Sequence, residues 1–337
     1  MAAGLKVAVT GPTGDIGIAT LRALDASPEV AEIVGMARRP FDPAEHDLEK
    51  VTYRQGDVLD RAAVDAAVAG ADVVVHLAFI IFGKPDEAQP INVEGSRNVF
   101  EATVAAGANR LVYTSSVAAY GFHDDNPQPL TEETALRGTD GFYYSAHKAE
   151  LEDLLEGILA GSSTDAYVFR PSIVAGPNAH TLLETALALL PVYGQLPLVR
   201  PVFDEIPFLA PVLPDPGVLF QLVHHDDVAT ALLAATEGKG EPGAYNLAGP
   251  GTLTLSQLAR ALGWWSVPLP SGLLGPLDDV LHRVPGIPAE LAWLTAFSVP
   301  MLMDCERARE QLGWQPHYDA ADTLAGMIRG AREQDVI

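Results

Sequence analysis

The run Thr10-Gly11-Pro12-Thr13-Gly14-Asp15-Ile16-Gly17 constrains this chain more than any other stretch. Residues 6–10 before it form a short β-prone run, and residues 16–25 after it read as a helix. Glycines spaced GxxGxxG between a strand and a helix make a turn too tight for a Cβ. The helix start beyond it offers backbone N–H donors and the positive end of a dipole, which suits a pyrophosphate. A local positive field is needed for any anionic ligand, because the 337 residues carry a formal charge of −23. The same balance argues against a nucleic-acid surface, which needs a basic stripe to neutralise phosphates.

Residues 33–37, 51–54, 73–77, 110–114 and 166–170 read as further strands. Their β-branched runs are continuous, which suits parallel strands covered on both faces. Helical stretches separate them, so right-handed βαβ units and a doubly wound sheet follow. The expected fold is α/β, a Rossmann-type parallel sheet over residues 1–171. Residues 172–337 are expected to form mainly a smaller irregular substrate lobe, with some elements returning to the sheet. Proline crowds residues 191–216 and 268–300 of that second half. Cys305 is the only cysteine, which excludes an intramolecular disulfide and a multi-cysteine metal cluster. The apolar stretches 186–199 and 291–303 are too short or too broken to span a bilayer. Residues 1–4 show no charged leader, so a soluble cytoplasmic chain is expected.

Residues 144–160 give the clearest helical pattern. Leu151, Leu154, Leu155, Ile158 and Leu159 recur at helical spacing, and Gly161 can end it. Tyr144 and Lys148 stand one turn apart on one face. A phenol titrates near 10, and lowering that by about three units takes roughly 4 kcal/mol. A lysine ammonium and an oxidised nicotinamide together can supply much of it. The lysine can also hold ribose hydroxyls. Ser115 and Ser116 end the fifth strand, at the edge where parallel sheets place ligands. Either can hold a reacting oxygen or satisfy a turn. The second strand ends Met36-Ala37-Arg38-Arg39 with no carboxylate, so NADP is preferred over NAD, with Arg38 on its 2′-phosphate. Asp57, after the third strand, suits either an adenine amino group or a turn cap.

The combination resembles the extended short-chain dehydrogenase/reductase family, including its NAD(P)-dependent epimerases and dehydratases. Also similar to that family are His76-Leu77-Ala78, Asn92-Val93-Glu94-Gly95, Ser115-Ser116-Val117-Ala118-Ala119-Tyr120-Gly121, and Arg170-Pro171-Ser172-Ile173-Val174-Ala175-Gly176-Pro177. His225-Asp226-Asp227-Val228-Ala229 and Leu312-Gly313-Trp314-Gln315-Pro316 complete the set. The resemblance implies Ser116, Tyr144 and Lys148 as catalytic residues. It implies cofactor contacts from Gly11, Thr13, Gly14, Asp15, Ile16 and Gly17, and from Arg38, Asp57, Val58, Leu77 and Ala78. Asn92, Thr114, Tyr144, Lys148, Pro171 and Ile173 complete the implied cofactor site. Asn92 would orient the active-site helix or a water, or cap a helix. A homodimer through the helices of Asn92 and Tyr144 is also implied. No metal is expected, because His224-His225-Asp226-Asp227 falls on a structural strand-to-helix turn of the family. His147 is expected to face solvent, and Trp264 and Trp265 to pack in the lobe.

Dehydratases of this family carry Asp-Glu after the catalytic residue, where this chain has Val117 and Ala118. Decarboxylases also need a glutamate there, so both activities are expected to be absent. UDP-glucose 4-epimerases usually have an asparagine where this chain has Ile173, and Arg200, Arg260 and Arg283 are the candidates for a diphosphate clamp. The expected function is epimerase-like hydride transfer between a carbinol or ketone and a nicotinamide. The alternatives are an NADPH-dependent ketone reductase or dehydrogenase for a less polar substrate, and a non-catalytic cofactor-binding sensor. The expected partner is a small molecule, a nucleotide sugar or an apolar ketone or alcohol, and neither nucleic acid nor membrane.

Overall fold

The computed structural model describes residues 4–81, 85–179, 212–268 and 299–335. Seven parallel strands form the main sheet: β1 (Leu5–Thr10), β2 (Val30–Ala37), β3 (Val51–Gln55), β4 (Val73–His76), β5 (Arg110–Thr114), β6 (Asp165–Pro171) and β10 (Gly243–Leu247). Their spatial order is β10-β6-β5-β4-β1-β2-β3. The chain runs outward from β1 to β3, then returns to β4 on the other side of β1. That reversal opens a crevice at the carboxyl ends of β1 and β4, where Thr10 pairs with His76.

The two faces of the sheet explain the continuous apolar runs. Val7, Val9, Val73 and Val75 share one core with Leu21 and Leu24 of α1 (Asp15–Ala26) and Val228 and Leu232 of α6 (His225–Thr236). Ala8, Val74 and Leu111 point the other way. They pack with α2 (Arg61–Val68), α4 (Gly95–Ala105) and α5 (Tyr143–Leu159) through Val64, Phe100 and Leu151. Side chains alternate along a strand, so both faces must be apolar when both are covered. Each fully buried Val or Leu here contributes about 1.5–3 kcal/mol.

A third core carries Phe220, Leu222, Leu253, Leu324 and Met327. It gathers α7 (Leu255–Leu262) and α9 (Ala320–Glu333) beside a small parallel pair, β7 (Ile173–Ala175) with β9 (Leu222–His224). A second pair joins β8 (Val212–Asp215) to β11 (Trp265–Pro268). Residues beyond 172 also build the main sheet itself, through β10, with α8 (Glu306–Leu312) beside it. The fully buried Asp227 carboxylate ties this half together, accepting the N–H groups of His317 at 2.8 Å and Tyr318 at 3.1 Å. Trp265, expected in lobe packing, is 59% exposed, whereas Trp264 packs against the third core. Residues 186–199, Arg200 and Arg283 lie outside the described residues. Among those described, no helix is long and apolar enough to cross a membrane.

Candidate active site

The three glycines of the first turn do different jobs. Gly11 has φ +76°, and a Cβ on it would sit 2.6 Å from the Ala78 nitrogen. Its N–H bonds the Met36 carbonyl at 3.0 Å, so the turn is wedged between β2 and the end of β4. A Cβ on Gly17 would lie 2.5 Å from the Gly11 carbonyl oxygen, so this glycine lets α1 pack on its own turn. Gly14 differs. A Cβ there would meet only the Gly11 oxygen, at 3.9 Å. It is the N-cap of α1 and supplies no side-chain cap to the helix start. The turn thus leaves open space at its middle glycine and helix N–H groups beside it, a fit for the pyrophosphate of a dinucleotide. Gly11→Ala is expected to cost about 1–3 kcal/mol of stability through backbone strain. Gly14→Ala, with φ −89° at that site, is expected to melt like the parent. Thermal unfolding of the two variants checks this contrast.

Tyr144 and Lys148 enter from the first turns of α5, and Ser116 from the end of β5. All three are buried. Ser116 acts on the Tyr144 phenol so as to favour its ionised form, and its hydroxyl accepts the Ala118 N–H at 3.1 Å. Lys148 Nζ donates to the Thr114 carbonyl at 2.8 Å and lies 3.5 Å from the Tyr113 hydroxyl. Burial pushes the Tyr144 phenol up to about 12, with Ser116 pulling the other way. Burial also pushes the Lys148 ammonium down to about 7, against the opposing pull of Glu152. Desolvation is the largest influence on the phenol, so the acidic form expected with an oxidised nicotinamide is not set by these side chains alone. Thr114 Oγ1 and Ser172 Oγ, at the ends of β5 and β6, are buried with no hydrogen-bond partner among the described residues. Such orphaned polar atoms at strand ends fit a bound polar ligand.

Sequence reasoning missed the group behind the site. Glu152 and Arg170 form a bidentate pair at 2.7–3.1 Å, with side chains 8% and 7% exposed. Ser115 Oγ donates to the same carboxylate at 2.5 Å, which separates it from Ser116 in role. Arg170 also donates to the Tyr120 hydroxyl at 2.9 Å. Glu152 stands one turn beyond Lys148, so the spacing 144, 148, 152 carried the signal. His76 bridges Thr10 at 2.6 Å and Ser96 at 2.9 Å, and burial pushes its imidazole down to about 3, so it stays neutral.

Other expected contacts resolve differently. Asn92 does not cap the helix that follows, whose N-cap is Glu94. Asn92 lies in a π-turn, Pro90–Glu94, and its amide pairs with both the N–H (2.8 Å) and carbonyl (3.0 Å) of Ile80. His147 is 8% exposed and not solvent-facing, because Tyr143, one turn earlier, stacks edge-on at 5.6 Å. Asp57 accepts the Leu59 N–H at 3.0 Å as a turn residue, and Asp60 is the actual cap of α2. Val58 is buried with its Cγ2 against Gly95. Arg38 is exposed at the end of β2, and no acid pairs with it among the described residues. Thr13, Asp15, Ile16, Leu77 and Ala78 are half-buried around the crevice. Pro171 is buried and Ile173 half-buried, at the junction of β6 and β7. Arg260 lies on α7. His224, His225 and Asp226 come within 4.8 Å of one another, and His224 Nδ1 caps α6 by accepting the Asp226 N–H.

A profile described as the NAD dependent epimerase/dehydratase family matches residues 7–248. An uncharacterised protein of Mycobacterium tuberculosis (strain ATCC 25618 / H37Rv) is 30% identical over 97% of this chain, which spans 30% of that protein's length. A 2-alkyl-3-oxoalkanoate reductase of Shewanella oneidensis is 32% identical over 53% of this chain and 47% of its own. The solved UDP-glucuronic acid 4-epimerase from Bacillus cereus, in complex with NAD, superposes with a TM-score of 0.73 at 16% identity, covering 98% of this chain and 99% of that one. That likeness shows the fold. A glycine turn opening a seven-stranded parallel sheet, matched by the family profile over most of its length, makes this chain a member of the NAD-dependent epimerase/dehydratase family of extended short-chain dehydrogenases/reductases.

Proposed function

We propose that this protein is an NAD(P)-dependent oxidoreductase that moves a hydride between nicotinamide and a ketone or carbinol of low polarity. The observation that carries this reading is the buried triad beyond the end of β5: Ser116, Tyr144 and, one turn on, Lys148. The open middle glycine of the first turn would take the pyrophosphate. When bound, the nicotinamide supplies or accepts the hydride. The chain's own part is the proton. Tyr144 donates it to the carbonyl oxygen, Ser116 holds that oxygen, and Lys148 serves the ribose and the phenol.

Direction follows from the ionisation of the phenol. A group pushed up to about 12 stays protonated at neutral pH, which suits proton donation to a ketone. Oxidation needs the phenolate and is expected to gain as pH rises. The apolar surroundings of Tyr144, with Ala118, Phe142 and Phe79, favour a less polar substrate over a hexose ring. The name of the Shewanella relative, a reductase of 2-alkyl-3-oxoalkanoates, supports a ketone. Val117 and Ala118 leave no acid for an elimination or a decarboxylation. Incubation with NADPH or NADH and a panel of β-keto esters, cyclic ketones and UDP-hexoses tests the reading. Loss of the reduced-nicotinamide absorbance with alcohol formed supports it. Sugar isomerised with no net absorbance change would mean epimerase. Dinucleotide bound without any product would mean a sensor.

Arg38 supports NADP(H) over NAD(H), since a guanidinium matches a 2′-phosphate bidentately. Arg38→Ala is expected to weaken NADPH binding by roughly 10- to 150-fold, at 1.5–3 kcal/mol for a hydrogen bond to a charged group, with NADH changed less than twofold. Fluorescence titration of the two reduced dinucleotides measures it. A homodimer through α4 and α5 and a cytoplasmic location belong to the same reading and rest on the family resemblance and the composition.

A further inference from the structure

Among the described residues, no carboxylate is paired with the buried Lys148. The acid nearest in sequence on its face is Glu152, whose oxygens are taken by Arg170 and Ser115. Among the described residues the ammonium's short hydrogen bond goes to the Thr114 carbonyl, with the Tyr113 hydroxyl farther off at 3.5 Å. Its remaining neighbours are aromatic. Phe79 places its ring centroid 3.8 Å from Nζ, and the Tyr113 ring lies at 5.1 Å. Phe79 also stands edge-on to Tyr144, with centroids 5.6 Å apart. The backbone beneath Phe79 is fixed. Asn92 binds both polar groups of Ile80, and the Tyr143 hydroxyl donates to the Ile81 carbonyl at 2.8 Å.

We propose that Phe79 is a positioning residue for Lys148, its ring face holding the ammonium in place of a carboxylate while Asn92 clamps the loop that carries the ring. The inference rests on reading Lys148 as the group that serves the cofactor ribose and Tyr144. The ring acts on the cation in two opposed ways. Its bulk excludes water, which disfavours the charge. Its π face attracts the cation, most strongly when desolvated. Leucine keeps the first effect and loses the second. Alanine loses both. The other titratable groups that act on Lys148 or lie against it are Glu152 of α5, Tyr113 of β5 and the neutral His76 of β4, with Tyr144 one turn before it on α5. Arg170 of β6 is held by Glu152.

The experiment is NADPH binding, followed by fluorescence from pH 5.5 to 9.5, on the parent, Phe79→Leu, Phe79→Ala, Phe79→Tyr and Lys148→Met. Thermal melts confirm that each is folded. Lys148→Met identifies the limb that belongs to the lysine, expected in the parent as weaker binding above about pH 7. Phe79→Leu is expected to move that limb down by about one unit, the size of a desolvated cation–π contact. Phe79→Ala is expected to move it up, as water reaches the ammonium. Phe79→Tyr is expected to leave it in place. Leu and Ala shifts of the same sign, or no shift in either, would overturn the proposal while leaving the cofactor reading intact. Absence of NADPH and NADH binding in the parent, or a Lys148→Met profile equal to the parent's, would instead overturn the cofactor reading and this proposal with it.

Discussion

Tyr144→Phe is expected to lower kcat/KM for ketone reduction by about 10²–10⁴-fold, the usual contribution of a positioned proton donor. The substitution removes one oxygen and little else. The ring keeps its place against Ala118, Phe142 and Phe79, so the apolar cluster survives. Ser116 keeps the Ala118 N–H as a partner, so its hydroxyl is not left without a bond. Melting temperature and NADPH affinity are therefore expected to stay near those of the parent. The loss should fall on kcat and not on KM, because the phenol matters most when charge develops on the carbonyl oxygen. The measurement is steady-state kinetics on the best ketone of the panel, with reduced-nicotinamide titration and a thermal melt as controls. Turnover within a few-fold of the parent would mean that another group delivers the proton, and the assignment of Tyr144 would fall.

Much of the sheet was legible because covered parallel strands leave a simple trace. Residues 73–75 are three valines with no exposure, so no amphipathic period was needed to see the strand. The glycine turn was legible for a similar reason, since Gly11 and Gly17 exclude a side chain through contacts with the backbone itself. Tyr144 and Lys148 share a helix face, which spacing alone reveals. What spacing does not reveal is contact across elements. Asn92 looks like a cap in sequence, but its amide serves a loop twelve residues earlier. His147 reads as polar and outward, yet Tyr143 and the surrounding chain bury it. Phe79 follows a strand and reads as core, with nothing local to say that its ring faces a cation. The ionisation of Tyr144 is not legible from spacing either, because desolvation depends on everything packed around the phenol.

Arg170→Met is expected to destabilise the fold by about 3–5 kcal/mol, the cost of stranding a buried charge. The guanidinium makes three bonds to Glu152, one to the Tyr120 hydroxyl and one to the Glu132 carbonyl at 3.1 Å. Tyr120 in turn donates to Asn246 Oδ1 at 2.7 Å, and Asn246 donates to the Leu130 carbonyl at 3.2 Å. One cation therefore joins α5, β6 and β10 at the floor of the site. Losing it leaves the Glu152 carboxylate desolvated, with only Ser115 to bond it. Replacing both charges, Glu152→Leu with Arg170→Met, is expected to cost less than Arg170→Met alone, because no unpaired ion remains. Lys148 should report the same change. An unpaired Glu152 pulls the ammonium up from about 7, whereas the double variant removes that pull and lets burial lower it further. Denaturant unfolding of the single and double variants gives the free energies, and the alkaline limb of NADPH binding gives the lysine. An Arg170→Met variant within 1 kcal/mol of the parent would show that this pair does not hold the catalytic helix to the sheet.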